Sequence, residues 1–266
     1  AGCILRIGSL TTVLCIDLCT FVIAVAAVVT LRRRCGGDRA ASEDGFWHAL
    51  RNGWKVVTAD RSVVQTVLLV SLITFFVGFL QTLFAPMVLS FTDAQTLGMA
   101  QSISATGMLL SSLLIGVLGM KQRYSIYLVF GLFSAGVCMA LMGLSTSIVI
   151  ITCTFFLFFC ALPVINTSAD VIIRTRIPNE QQGRAWGLIG LLSQIGYIGA
   201  YSISGILADR VFNPLLMENG SLAGSVGRLI GTGPGRGIGF MLVLAGMSVV
   251  VVSLLSFDLL PNSNKE

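Results

Sequence analysis

The sequence predicts an all-α membrane protein with seven transmembrane helices. Three observations carry that expectation. Hydrophobic residues make up 55% of the 266 residues and charged residues only 11%, whereas a soluble domain carries about 25% charged residues to cover its surface. The mean hydropathy is +0.89. The apolar residues also fall in blocks of about twenty, the length at which a helix crosses about 30 Å of hydrocarbon. None of these blocks alternates residue by residue as a barrel strand would.

The blocks lie at about 9–31, 63–85, 96–118, 125–143, 148–170, 186–208 and 238–257. The first contains Asp17, the one clearly intramembrane acid. An acid at the centre of a span costs about 2.5–3.5 kcal/mol on insertion scales, so its carboxylate is expected to face protein rather than lipid. Two readings stand for it: a group that titrates protons or pairs a cation, or a hydrogen-bonded packing contact.

The segment 32–62 is long and basic. Within it FWHALRNGWKVV, residues 46–57, repeats Phe46, Trp47, Leu50, Trp54 and Val57 at helical spacing, with Arg51 and Lys55 off that stripe. This predicts an amphipathic helix, lying on the inner headgroups or packed on the inner ends of the spans.

The second span contributes Gln81 and the third Gln101, in their outer halves. The third reads GMAQSISATGMLLSSLLIG, whose small residues Gly98, Ser102, Ala105, Ser111, Ser112 and Gly116 predict close helix contact. The fifth ends in NTSADVIIRTR, placing Asn166 one turn deeper than Asp170, with Arg174 spaced for a local ion pair to Asp170. The sixth carries Gln194 and Tyr197 near the midplane, and a second set of small residues including Gly187, Gly190, Gly196, Gly199, Ala200, Ser204 and Gly205. Polar groups at several depths suit the path of a sizeable organic solute. Interhelical hydrogen bonding, worth about 0.6 kcal/mol each, accounts for them equally well.

Before the last span stands GTGPGRG, residues 231–237. A dinucleotide loop needs G-x-G-x-x-G between a strand and a helix, but Arg236 occupies the third glycine position. A phosphate loop would need Gly-Lys-Ser/Thr. The run is therefore expected to make turns that aim the chain into its last helix.

Thirteen of the seventeen basic residues fall on one side of the predicted spans. The excess of lysine and arginine marks the cytoplasmic face, which puts the C-terminus inside the cell. The net charge of +5 is thereby explained by orientation in a cell membrane, without nucleic acid. Seven cysteines, Cys3, Cys15, Cys19, Cys35, Cys138, Cys153 and Cys160, form neither a disulfide framework nor a zinc spacing. No metal or cofactor is expected. The chain lacks H-E-x-x-H and G-x-S-x-G, and its single histidine, His48, belongs to a loop segment, so catalysis is not expected either.

One span, a long basic segment with an amphipathic helix, then six spans: this arrangement resembles the major facilitator superfamily. IDLCTF (16–21), RNGWKVVTADRSV, NTSADVIIRTRIPNEQQGRAWG and GILADRVFNPLL are similar to segments of macrolide-efflux-type exporters. The resemblance implies that residues 1–31 end with the last helix of an N-terminal bundle, 32–62 form the central loop, and 63–266 form the C-terminal six-helix bundle. The chain starts at Ala1 without a methionine, and the partner implied is the missing N-terminal half of the same chain. Two departures stand out. GMKQRY (119–124) lacks the aspartate of the superfamily's G-x-L-x-D-R-x-G-R-K loop, and GILADR (205–210) matches that motif before failing at Phe212.

The function implied is ion-gradient-driven export of hydrophobic or amphiphilic small molecules by alternating access. Gln81, Gln101, Asn166, Gln194 and Tyr197 would bind the substrate, and Asp17 is the coupling candidate. Lys121, Arg123, Asp170, Arg174, Glu180 and Arg184 would form the cytoplasmic gate, with Glu180 and Arg184 paired. A seven-helix receptor is the alternative.

The orientation is directly testable. In a cysteine-free background, a membrane-impermeant thiol reagent applied to intact cells should label Ser225→Cys and spare Arg123→Cys. The reverse pattern would invert the topology.

Overall fold

The computed structural model describes residues 10–34, 46–120, 123–217 and 220–259. Two compact units divide at Ala49/Leu50. The first contains helix α1 (Leu10–Arg34), in which Leu18–Thr30 forms a short apolar stretch. The side chain of Asp17 lies outside the described residues.

The second unit begins within α2 (Phe46–Thr58) and continues through α3 (Arg61–Leu89), α4 (Ala94–Leu118), α5 (Tyr124–Leu144), α6 (Ile148–Arg176) and α7 (Asn179–Leu207). A π turn (Ala208–Phe212) and two single-turn helices, α8 (Asn213–Leu216) and α9 (Gly227–Ile230), lead to α10 (Arg236–Leu259). Six of these helices are long and apolar enough to cross a membrane. No strand occurs among the described residues. In hydrocarbon a backbone must satisfy its own polar groups, and a helix does so within one segment.

The spans run past their sequence-predicted limits, most clearly at α7, which starts at Asn179 rather than near 186. Polar residues fill the added turns, so hydropathy alone could not detect them. Two helix starts are fixed by carboxylates. Asp60 accepts a 2.7 Å bond from the Ser62 N–H at the head of α3, and Asp93 accepts a 3.0 Å bond from the Thr96 N–H at the head of α4. An acceptor at this position satisfies a backbone donor that the first turn leaves open. The Thr96 hydroxyl and N–H together hold the Asp93 carboxyl below its ordinary range.

Within this unit α4 packs on α6, α6 on α3, and α3 on α7, while α5 and α10 back the α3–α6 pair. The core lies among α3, α5, α6 and α10, around Leu80, Leu83, Phe84, Leu132, Met139 and Ile165. Phe84 of α3 and Phe155 of α6 stack with centroids 4.0 Å apart.

The closest helix pair is α5 with α10, and it is built on glycine. A Cβ at Gly136 would lie 2.8 Å from the Gly246 carbonyl, and one at Gly143 would collide with the Gly239 carbonyl. Deeper along the same seam the buried Ser253 hydroxyl donates to the Val129 carbonyl at 2.7 Å. The sequence reading placed close contact on the third and sixth spans instead. There only part of the small-residue set is used: α4 meets α6 through Ala100, Ser104, Gly107 and Ser111, whereas Gly98, Gly116, Gly187, Gly190 and Gly205 face open space.

Residues Leu50–Thr58 of α2 pack on the ends of α3, α6 and α7. Val57 is buried with Val63, Ile173, Ile177, Ala185 and Leu188, and Gly53 sits against the Arg184 carbonyl. Trp54, on the apolar stripe that the sequence places either on the headgroups or against the bundle, is 55% exposed. Gly53 brings the helix so close to α7 that the contact face turns toward Gly53 and Val57, leaving Trp54 at its edge.

Substituting Gly143→Leu should destabilise the protein by about 1–3 kcal/mol, the cost of overpacking a filled contact. Gly116→Leu, facing open space, should change stability little. Thermal unfolding of the two variants in detergent makes the comparison.

Candidate functional site

The row α4–α6–α3–α7 carries all five sequence-predicted substrate residues, and α5 and α10 carry none of them. The two ends of this row are the least covered spans. Only 17% of the most apolar window is buried in α4 and in α7, against 39–56% in the other four.

Helical phase sorts the polar residues further. On α3, Gln81 lies on the arc between Gly78, which meets α7, and Phe84, which meets α6. On α6, Asn166 lies between the arc of Phe155 and Ile173 and the arc that meets α4 through Phe156 and Cys160. Both are exposed, and Asp170 follows Asn166 one turn on, half-buried.

Two of the predicted residues, Gln81 and Tyr197, belong to one cluster across α3 and α7. Gln194, Tyr197 and Tyr201 form a stripe on one flank of α7. Tyr197 and Tyr201 stack at 5.8 Å, with 28° between their planes. The Tyr201 hydroxyl donates to Gln81 Oε1 at 2.9 Å. Gly78 makes room for the Tyr197 ring, since a Cβ there would lie 2.9 Å from it. Tyr201 was missed in the sequence reading, although its i+4 spacing from Tyr197 was the signal that could have found it. Gln101 is exposed on α4, and nothing joins it to this cluster. The arrangement offers an amide and two phenol groups at the seam of two membrane-spanning helices.

The ion pairs expected from sequence are not formed. Asp170 and Arg174 make no contact within ion-pair distance, and neither do Glu180 and Arg184, among the described residues. Arg174 instead lies 5.7 Å from the ring centre of Trp186 on α7. An ion pair among the described residues joins Asp60 to Arg176 at 3.6 Å, tying the head of α3 to the end of α6. Gln182 donates to the Arg174 and Ile177 carbonyls and to Asn179 Oδ1, closing the α6–α7 turn. Arg123, Glu180 and Arg184 are exposed at this same end, and Lys121 lies outside the described residues.

At the opposite end GTGPGRG makes turns, as expected. Gly231, Gly233 and Gly235 have φ of 91°, 116° and 76°, a region open to glycine at little cost. Arg236 is buried there. Its guanidinium donates to the Ile230 carbonyl at 3.0 Å and to the Ser145 carbonyl at 3.3 Å, and lies 5.8 Å from the ring centre of Phe91. It therefore caps the ends of α9 and α5 at once. The sequence marks this arginine as one of the four basic residues on the outer side and as the residue that breaks a nucleotide motif.

Six helices long and apolar enough to cross a membrane define a multi-pass membrane protein. The chain belongs to the Major Facilitator Superfamily, whose family model matches residues 1–201. It is similar to Macrolide efflux protein A of Streptococcus pyogenes, 23% identical over 221 residues that cover 79% of this chain and 53% of that protein. The protein of the same name from Streptococcus pyogenes serotype M6 gives the same figures. The chain thus spans about half the length of these curated relatives. No solved structure is significantly similar to it.

Arg236→Ala should cost about 1–3 kcal/mol, because the buried Ser145 and Ile230 carbonyls lose their donor. The variant should melt lower in detergent and be cut faster by protease between residues 220 and 235. Arg236→Lys should fall between the two, since an ammonium cannot span both carbonyls as a guanidinium does.

Proposed function

We propose that the protein is a secondary transporter that exports hydrophobic or amphiphilic small molecules by alternating access, driven by an ion gradient. The observation that carries this reading is the cluster of Gln81, Tyr197 and Tyr201, joined across two membrane-spanning helices. Membership of the superfamily and similarity to proteins named for macrolide efflux support it, and favour it over a receptor.

In this reading Gln81, Gln101, Asn166, Gln194 and Tyr197 line one wall of a path, and Tyr201 positions Gln81. The exposed faces of α4 and α7 receive a second bundle from the N-terminal half of the same chain, which would close the other wall. Arg123, Arg174, Glu180 and Arg184 stay exposed at the cytoplasmic end, where with Lys121 and Asp170 they would latch against that bundle. Asp17 is the candidate for coupling. The protein sits in the cell membrane with its C-terminus in the cytoplasm. Rocking of two bundles about a midplane site is the general mechanism of such transporters.

Proteoliposomes containing the full-length protein should move a macrolide or a lipophilic cation against its gradient when a proton or sodium gradient is imposed. Absence of transport for both probes under either gradient would overturn the proposal. Gln81→Leu should lower transport several-fold without lowering the amount of folded protein.

A further inference from the structure

The groove between α3 and α10 lies on the opposite arc of α3 from Gln81. It holds about 260 Å³ and is lined by Leu68, Leu69 and Leu72 of α3 and by Val252 and Leu255 of α10. Gln65 of α3 lines it too. Ser256 also lines it, but its hydroxyl is satisfied by the Val252 carbonyl at 2.7 Å. The Gln65 amide has no hydrogen-bond partner among the described residues.

One turn beyond Gln65, on the same face of α3, stands Arg61. Residues 61, 65, 68, 69 and 72 fall within about 100° of the helix circumference, and 61 to 72 spans about 16 Å along its axis. Arg61 is exposed and pairs with no acid among the described residues. The neighbouring carboxylate, Asp60, is committed to the Ser62 N–H and to Arg176. The groove lining is therefore apolar apart from Gln65 and Ser256, and Arg61, which meets no acid among the described residues, stands one helical turn beyond Gln65.

We infer that this groove binds one anionic phospholipid, with an acyl chain along Leu68, Leu69 and Leu72 and the headgroup phosphate on Arg61 and Gln65. The groove lies in membrane-spanning helices, so hydrocarbon is its surrounding medium. The Arg61 cation selects an anionic headgroup from that medium, and basic pockets between helices at the cytoplasmic face recognise such headgroups. A second copy of the chain is a poorer occupant. Paired symmetrically through this groove, it would bring its own Arg61 to the same end and set like charges together. The inference rests on membrane embedding and on the proposed orientation, which puts this end at the cytoplasmic face, and is independent of which solute is moved.

Native mass spectrometry of the full-length protein, with added dioleoyl phosphatidylglycerol or dioleoyl phosphatidylcholine, tests it. The protein should retain phosphatidylglycerol about fivefold better, the effect of one basic residue near the surface. Arg61→Gln should erase that preference, and Arg51→Gln, an exposed arginine of α2 outside the groove, should keep it. Leu72→Trp, which fills the groove, should lower retention of both lipids while the melting temperature holds. Equal retention of the two lipids by the unaltered protein would overturn the proposal. So would equal effects of the two arginine substitutions, or a stable dimer that retains neither lipid.

Discussion

Everything in the second unit depends on how closely two helix backbones can approach when no water drives them together. Lipid tails are as apolar as leucine, so a helix gains little by exchanging one for the other. Association then rests on dispersion and on hydrogen bonds across the seam, and both grow as side chains shrink. Gly136 and Gly143 against Gly246 and Gly239 bring α5 and α10 into backbone contact, and Ser253 adds a buried bond to the Val129 carbonyl. The α4–α6 seam repeats the device in weaker form. Ser111 donates to the Cys160 carbonyl at 2.7 Å, and the Cys160 thiol lies 3.4 Å from the Gly107 carbonyl.

The two ends of the bundle are held by different physics. At the end where Asp60 stands, contacts join side chains from separate helices: Asp60 to Arg176, Arg174 to Trp186, and Val57 to Ile173 and Leu188. At the end where Arg236 stands, one guanidinium serves main-chain carbonyls. A charge in such a place is tolerable because carbonyl dipoles replace the water it gave up. The glycines around it allow the chain to fold back tightly enough to bring those carbonyls within reach.

The spans were legible in the sequence because hydropathy is a property of each segment alone. Family resemblance was legible for a similar reason, as short motifs such as RNGWKVVTADRSV and NEQQGRAWG lie on local stretches. Contacts between segments were not. Spacing of i, i+4 suggested that Asp170 would pair with Arg174 and Glu180 with Arg184. Exposed pairs of that kind contribute only about 0.3–0.5 kcal/mol, less than a well-placed partner on another helix offers. Arg174 found such a partner in Trp186. Likewise, counting small residues pointed to α4 and α7, where many of the glycines turned outward. The pair that mattered, α5 and α10, has glycines seven residues apart on each helix, a pattern that acquires meaning only when the two are set antiparallel.

The uneven distribution of close contact has a mechanical consequence. A seam in which carbonyl meets glycine cannot slide without collision, so α5 and α10 behave as one stiff strut. α4 and α7 are the least covered of the spans, and α7 continues into a π turn at Ala208–Phe212. Compliance is thus concentrated in the two outermost helices of the row. A small tilt of either would leave the rear of the bundle in shape.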